Sequence, residues 1–140
     1  MLAYSPGGQR IVTAMGRSRE AKVWEAQTGK ELFRLVGHDD VVTSVDYSLD
    51  GKWIVTASLD KTAKVWDAET GKELVTLSGH DLYVTSAIYS SDGKRIVTSS
   101  ADKTARVYTT DMDELLQIAE SRITRQLTTI EQEKYDSLLE

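Results

Sequence analysis

Short runs of alternating apolar and polar residues fill most of the chain. Positions 42–47 read Val-Thr-Ser-Val-Asp-Tyr, positions 53–58 Trp-Ile-Val-Thr-Ala-Ser, positions 63–66 Ala-Lys-Val-Trp and positions 73–77 Glu-Leu-Val-Thr-Leu. β-Branched and aromatic residues at a period of two predict strands of about four to six residues. Between the runs stand Asp50-Gly51, Asp60-Lys61 and Glu69-Thr70-Gly71-Lys72, residue types that favour tight turns. After Thr110 the period changes. Met112, Leu115, Leu116, Ala119 and Ile123 fall at helical spacing, and Asp111 with Glu114, then Thr128 with Glu131, read as caps with a return acid. Two helices are expected, at about 112–124 and 129–139.

The strand pattern recurs. Stretches opening at Tyr4, Tyr47 and Tyr89 share the same order of residues, with an offset of 42 for Gly37/Gly79, His38/His80, Trp66/Tyr108 and Tyr47/Tyr89. The offset is 43 from Tyr4 to Tyr47 and 42 from Trp24 to Trp66, so one extra residue lies between Thr13 and Trp24. Three copies are expected, at about 1–36, 37–78 and 79–111. Each predicts a four-stranded sheet that cannot bury both faces alone and must stack on its neighbours. In the last copy nothing after Tyr108 clearly repeats 73–77, although Glu114-Leu115-Leu116 begins in that manner.

The Gly-His pairs (Gly37-His38, Gly79-His80), the Ser-x-Asp before the third strand (Ser58/Asp60, Ser100/Asp102) and Trp66-Asp67 closing that strand resemble the WD-repeat β-propeller family, over residues 1 to about 111. The resemblance implies an all-β fold: about three four-stranded antiparallel blades in an incomplete ring, followed by a helical C-terminal extension at 112–140. It also implies a structural role for the histidines, in hydrogen-bonded chains made by His38, Ser58, Asp60 and Trp66 in the second copy and by His80, Ser100, Asp102 and Tyr108 in the third. Thr56 shares a strand face with Ser58 and is the alternative hydroxyl. In the first copy Ser18 stands in place of the Asp, Gly16 lies near the hydroxyl position and no Gly-His precedes. Trp24 alone remains, and no such network is expected there. The family commonly binds partners on one face of the disc. Mapped onto this chain, that face carries Asp39, Asp40, Leu59, Lys61, Asp81, Leu82, Tyr83, Ala101 and Lys103, with Tyr83 as the candidate anchor. The tail is similar to the extension that follows the last repeat in some multidomain bacterial WD-repeat proteins.

Composition narrows the chemistry. The 140 residues contain no cysteine and two histidines, which removes thiol catalysis, disulfides and cysteine-ligated zinc. Both histidines occupy Gly-His positions, so none is left for a shared active site. Thr-Gly-Lys at 28–30 and 70–72 lacks the rest of a phosphate loop, and no helix is expected after it. Asp39, Asp40 and Asp81 are expected to be solvated rather than to hold a metal, and no cofactor is expected. Residues 1–111 carry 14 basic and 15 acidic side chains, and residues 112–140 carry 3 and 7. A near-neutral body and an acidic tail argue against nonspecific nucleic-acid binding. No run reaches the length of a membrane span, and a cytoplasmic setting is expected. Propellers close with typically four to eight blades, so three copies are expected either to form a homo-oligomer or to be completed by additional blades. The expected function is a noncatalytic scaffold that binds a protein or peptide on a propeller face. The alternative is a sensor or regulatory part of a larger bacterial signalling or defence protein whose catalytic domain lies elsewhere.

Overall fold

A computed structural model describes residues 1–120. Its strands are β1 (Leu2–Tyr4), β2 (Arg10–Ala14), β3 (Ala21–Glu25), β4 (Glu31–Leu35), β5 (Val42–Tyr47), β6 (Trp53–Ser58), β7 (Ala63–Asp67), β8 (Glu73–Leu77), β9 (Val84–Tyr89), β10 (Arg95–Ser100) and β11 (Ala105–Thr109), followed by helix α1 (Met112–Glu120). They form three antiparallel meanders in the orders β1-β2-β3-β4, β5-β6-β7-β8 and β9-β10-β11. The fold is all-β and blade-like, as expected from an incomplete propeller.

Among the described residues the third sheet has three strands, as the broken repeat after Tyr108 leads one to expect. In the first two sheets a Glu-Leu run pairs outside the third strand, Glu31 facing Trp24 and Glu73 facing Trp66. In the third sheet the chain leaves β11 through Asp111, whose carboxylate accepts the amides of Asp113 and Glu114 at 3.0 and 3.2 Å. That cap starts a helix where a fourth strand would begin. Glu114 is therefore helical and does not repeat β8. The first expected helix is found over Met112–Glu120, touching β8 and β11. Its continuation to 124 and the second helix at 129–139 lie outside the described residues.

Strand alternation divides the middle sheet into two apolar faces. Ile54, Trp66 and Ala68 pack with Val12, Ala14, Ala21, Val23 and Leu35 of the first sheet. Val55, Ala57, Ala63, Val65, Val75 and Leu77 pack with Val84, Ala87, Ile96 and Tyr108 of the third. Both faces of the middle sheet are thus buried, and among the described residues each outer sheet keeps one face without a neighbouring sheet. Leu2 and Tyr4 are 63% and 60% exposed, whereas their repeat equivalents Val45 and Tyr47 are 3% and 6% exposed. The neighbour, not the residue type, makes the difference.

Polar ties accompany the packing. Thr43 donates to the Val84 carbonyl at 2.7 Å, the Ala87 amide donates to Ser44 at 2.8 Å, and the Tyr89 amide donates to Asp46 at 2.9 Å. These side chains reach across from β5 to the backbone of β9. At the opposite interface Arg10 donates to the Ala68 carbonyl at 2.7 Å.

Because only the middle sheet is covered twice, equivalent valines should differ in cost. Val65→Ala is expected to lose about 2 kcal/mol of unfolding free energy and Val107→Ala, on the open face of β11, less than about 1 kcal/mol. Urea titrations of the two variants check this; equal losses would contradict the packing scheme.

Candidate functional site

Beside β6 and β7, four side chains form a continuous chain of donors and acceptors. The Trp66 indole N–H donates to Thr56 Oγ1 at 2.9 Å. Thr56 Oγ1 lies 2.7 Å from His38 Nε2, and His38 Nδ1 lies 2.7 Å from Asp60 Oδ2. A carboxylate only accepts, so Nδ1 carries the proton, Nε2 accepts from the Thr56 hydroxyl, and the Thr56 oxygen accepts from the indole. Burial pushes His38 below the ordinary imidazole range, against the pull of Asp60. The neutral ring is the form this arrangement satisfies. Burial opposes the charge on Asp60, but hydrogen bonds from Thr62 and His38 outweigh it and hold the carboxyl below its usual value. Asp60 also accepts the amides of Asp39 and Thr62 and the Thr62 hydroxyl, at 3.0, 2.9 and 2.6 Å. The carboxylate thereby fixes both loops at this end.

The structure brings His38, Asp60 and Trp66 together, but the hydroxyl between them belongs to Thr56 and not to Ser58. Ser58 lies one step further along the face, at the mouth of the turn. There it donates to the Asp40 carbonyl at 3.0 Å and accepts the Asp60 amide at 3.1 Å. The third sheet makes the same correction. His80 bonds Asp102 and Thr98, each at 2.8 Å, while Ser100 holds the Leu82 and Tyr83 carbonyls and the Asp102 amide. Tyr108 does not close this chain. Its hydroxyl is buried without a hydrogen-bond partner. Burial raises the phenol above its ordinary pKa, with the nearby Arg106 charge offsetting part of the shift.

In the first sheet the histidine half is missing, yet Trp24 still donates to Thr13 at 2.8 Å. The expectation of no network there is corrected to a two-residue remnant, because Thr13 holds the strand position of Thr56. Two participants escaped the sequence reading: Thr62 and Thr104, which bond Asp60 and Asp102 from the turn. Their shared position after Asp-Lys was the available signal.

The nine residues mapped to a partner face lie around these chains, at one end of the sheets. The Leu59 amide donates to the Val41 carbonyl at 2.9 Å and the Ala101 amide to the Tyr83 carbonyl at 3.1 Å, so each turn is tied to the connection beside it. The Asp81 amide donates to Asp102 at 3.0 Å. Asp40 caps its own loop through Val41 N. Lys61 and Lys103 sit at φ 72° and 67°, left-handed turn positions that point two exposed cations from equivalent places. Leu82 and Tyr83 are each 46% exposed.

At the opposite end, beside the β5–β6 and β9–β10 turns, a shallow crevice of about 310 Å³ is lined by Ser48, Asp50, Trp53, Tyr89, Asp92 and Thr110. The Tyr89 hydroxyl is buried there without a partner. Among the described residues no group of three or more His, Asp or Glu side chains is placed to hold a metal ion, and no helix is long and apolar enough to cross a membrane.

The three threonines offer a graded test. Thr56→Val orphans a buried indole N–H and an imidazole nitrogen and is expected to cost about 2–3 kcal/mol. Thr98→Val orphans the imidazole alone, about 1–2 kcal/mol, and Thr13→Val, beside a partly exposed Trp24, costs under about 1 kcal/mol. Chemical denaturation measures all three; a Thr13 cost equal to that of Thr56 would contradict the assignment.

The model of the WD domain, G-beta repeat family matches residues 29–67 and 71–109, together more than half of the chain. A coronin-like protein of Saccharomyces cerevisiae is 33% identical over 58 residues, covering 41% of this chain and 9% of that protein. The Lissencephaly-1 homolog 1 of Paramecium tetraurelia is 36% identical over 52 residues, covering 37% and 13%. A periodic tryptophan protein 2 homolog of Neurospora crassa is 37% identical over 61 residues, covering 44% and 7%. The matched stretch is thus less than a seventh of the length of each of these relatives. The matched repeats hold both Gly-His pairs and both Asp-anchored turns, and the chain belongs to the WD40 repeat family.

Proposed function

We propose that this chain is a noncatalytic interaction module that holds a protein or peptide on the rim around Asp60 and Asp102. WD40 domains generally mediate protein–protein interaction. The observation that carries the reading is the pairing of exposed apolar side chains with a rigid support. Leu82 and Tyr83 stay exposed while their backbone carbonyls are held by Ser100 and the neighbouring Asp81 amide is held by Asp102. An aromatic that is already ordered loses little freedom on binding, which is the usual condition of an interface anchor. Leu59 adds apolar surface from the next turn, and Asp39, Asp40, Asp81, Lys61 and Lys103 supply a mixed polar border.

A second observation favours a further protein surface. Leu2, Tyr4, Ile11 and Trp24 on the first sheet are the repeat equivalents of Val45, Tyr47, Ile54 and Trp66, which the first sheet itself covers. The open faces would be covered by another sheet, in a second copy of the chain or in further blades. The small fraction of each relative that is matched supports a place within a larger protein, including the reading as its regulatory part.

Peptide ligands selected from a displayed library against the immobilised chain test the rim. Tyr83→Ala is expected to weaken the selected ligands about tenfold or more without lowering the thermal midpoint. Ligands that bind Tyr83→Ala and Leu82→Ala as tightly as the parent would overturn the reading.

A further inference from the structure

The clefts between neighbouring sheets repeat, and one of them lacks the cation that fills the other. Between the β1–β2 and β5–β6 turns lies a cleft of about 230 Å³ that includes Gly7, Arg10, Tyr47 and Ala68. The crevice of about 310 Å³ between the β5–β6 and β9–β10 turns carries Asp50, Trp53, Tyr89 and Thr110 at the equivalent positions. Each closes over a glycine in the same way. A Cβ on Gly51 would meet Pro6 at 3.3 Å, and one on Gly93 would meet Leu49 at 3.3 Å. The tyrosine is common to both, and in both its hydroxyl is buried without a hydrogen-bond partner.

The first cleft shows what this architecture holds. Arg10 donates to the Ala68 carbonyl at 2.7 Å and to the Glu69 carboxylate at 3.2 Å, with its guanidinium 6.0 Å from the centre of the Phe33 ring. A carbonyl, a carboxylate and an aromatic face are surroundings that favour a guanidinium. In the second cleft Trp53 replaces the arginine and Asp50 replaces Gly7, so the wall loses a positive charge and gains a negative one. Asp92 adds a second carboxylate from the facing turn. Asp111 stands at the position of Glu69 but is taken up in capping α1.

Both crevice carboxylates have acceptor capacity to spare. Ser48 and the Lys52 amide donate to Oδ1 of Asp50, and Ser90 and the Lys94 amide donate to Oδ1 of Asp92, which leaves Oδ2 of each for another donor. Burial opposes the charge on Asp50, but the bonds from the Lys52 amide and Ser48 hold its carboxyl below the usual value. Ser90 and the Lys94 amide hold Asp92 low, helped by the charges of Lys94 and Arg95. Two ionised carboxylates thus flank an aromatic wall where the first cleft has its own arginine.

We propose that this crevice binds a guanidinium group against Trp53, paired with Asp50 and Asp92, supplied by an arginine of a partner protein or by a free guanidino compound. A planar guanidinium can meet an indole face and two carboxylates together, whereas an ammonium is a compact, strongly hydrated charge. The chain's own residues 112–140, with 3 basic and 7 acidic side chains, have the wrong net charge to be drawn there. The crevice lies at the end of the sheets opposite Tyr83, and it stands or fails independently of the rim.

Indole and backbone N–H resonances of the isotopically labelled full chain report the site, titrated with ethylguanidinium and with propylammonium as a control of equal charge. Ethylguanidinium is expected to shift the Trp53 and Gly93 signals with a dissociation constant of about 1–10 mM, while the Trp66 indole stays still. Propylammonium is expected to bind about fivefold more weakly or worse. Asp50→Asn combined with Asp92→Asn, which keeps an acceptor oxygen in each turn, should weaken the guanidinium about tenfold. Trp53→Arg, the residue of the other two sheets at this position, should abolish the Gly93 shift and leave the spectrum folded. No shift at about 50 mM, an equal response to the two cations, or binding indifferent to the asparagine pair would each overturn the proposal. Acetyl-Gly-Arg-Gly-amide separates the two sources, and both of its outcomes uphold the site. Binding about tenfold tighter than ethylguanidinium assigns the group to a partner's arginine, and equal or weaker binding assigns it to a free guanidino compound.

Discussion

A β-sheet with two apolar faces is stable only between neighbours, and that constraint organises this molecule. The middle sheet meets it fully: Ile54 and Trp66 look one way, Val55 and Val65 the other, and all four are buried. Among the described residues the first and third sheets meet it on one side only. The same sequence positions therefore have different fates in different copies, with Tyr47 enclosed and Tyr4 exposed. Repeat proteins follow this logic generally, since each unit contributes an interface rather than a complete core.

The histidine chains solve a second problem, set by the first. The connections before β5 and between β6 and β7 need fixing without a core of their own. Asp60 and Asp102 do so by accepting amides from the loop before the sheet and from the turn within it. The buried His–Thr–Trp relay behind Asp60 gives that carboxylate a fixed partner. In the third sheet Tyr108 ends the relay early, leaving His80, Thr98 and Asp102 as the working part. The rim connections are held in place by these bonds, so on the proposed reading the structural histidines would support binding without touching a ligand.

Much of this was legible in the sequence. The 42-residue offset located the strands, and the Gly-His and Ser-x-Asp positions located the loop anchors. Strand parity admitted both Thr56 and Ser58, and only the reach of the indole in three dimensions selects Thr56. The ties from Thr43, Ser44 and Asp46 to β9 were hidden because they join different copies. In the third copy Ile88 stands where Asp46 would be, so comparison of repeats gives no hint of the Asp46 tie. That no fourth strand pairs with β11 among the described residues was visible as a broken repeat. The two-residue remnant at Trp24 was obscured by the extra residue that follows Thr13.

Native-state hydrogen exchange tests the central constraint most directly. If coverage on both faces sets local stability, the amides of β6 and β7 exchange slowest, only through global unfolding, while those of β2 and β10 open at lower free energy. Uniform protection across the three sheets, or slowest exchange in β2 or β10, would contradict the account.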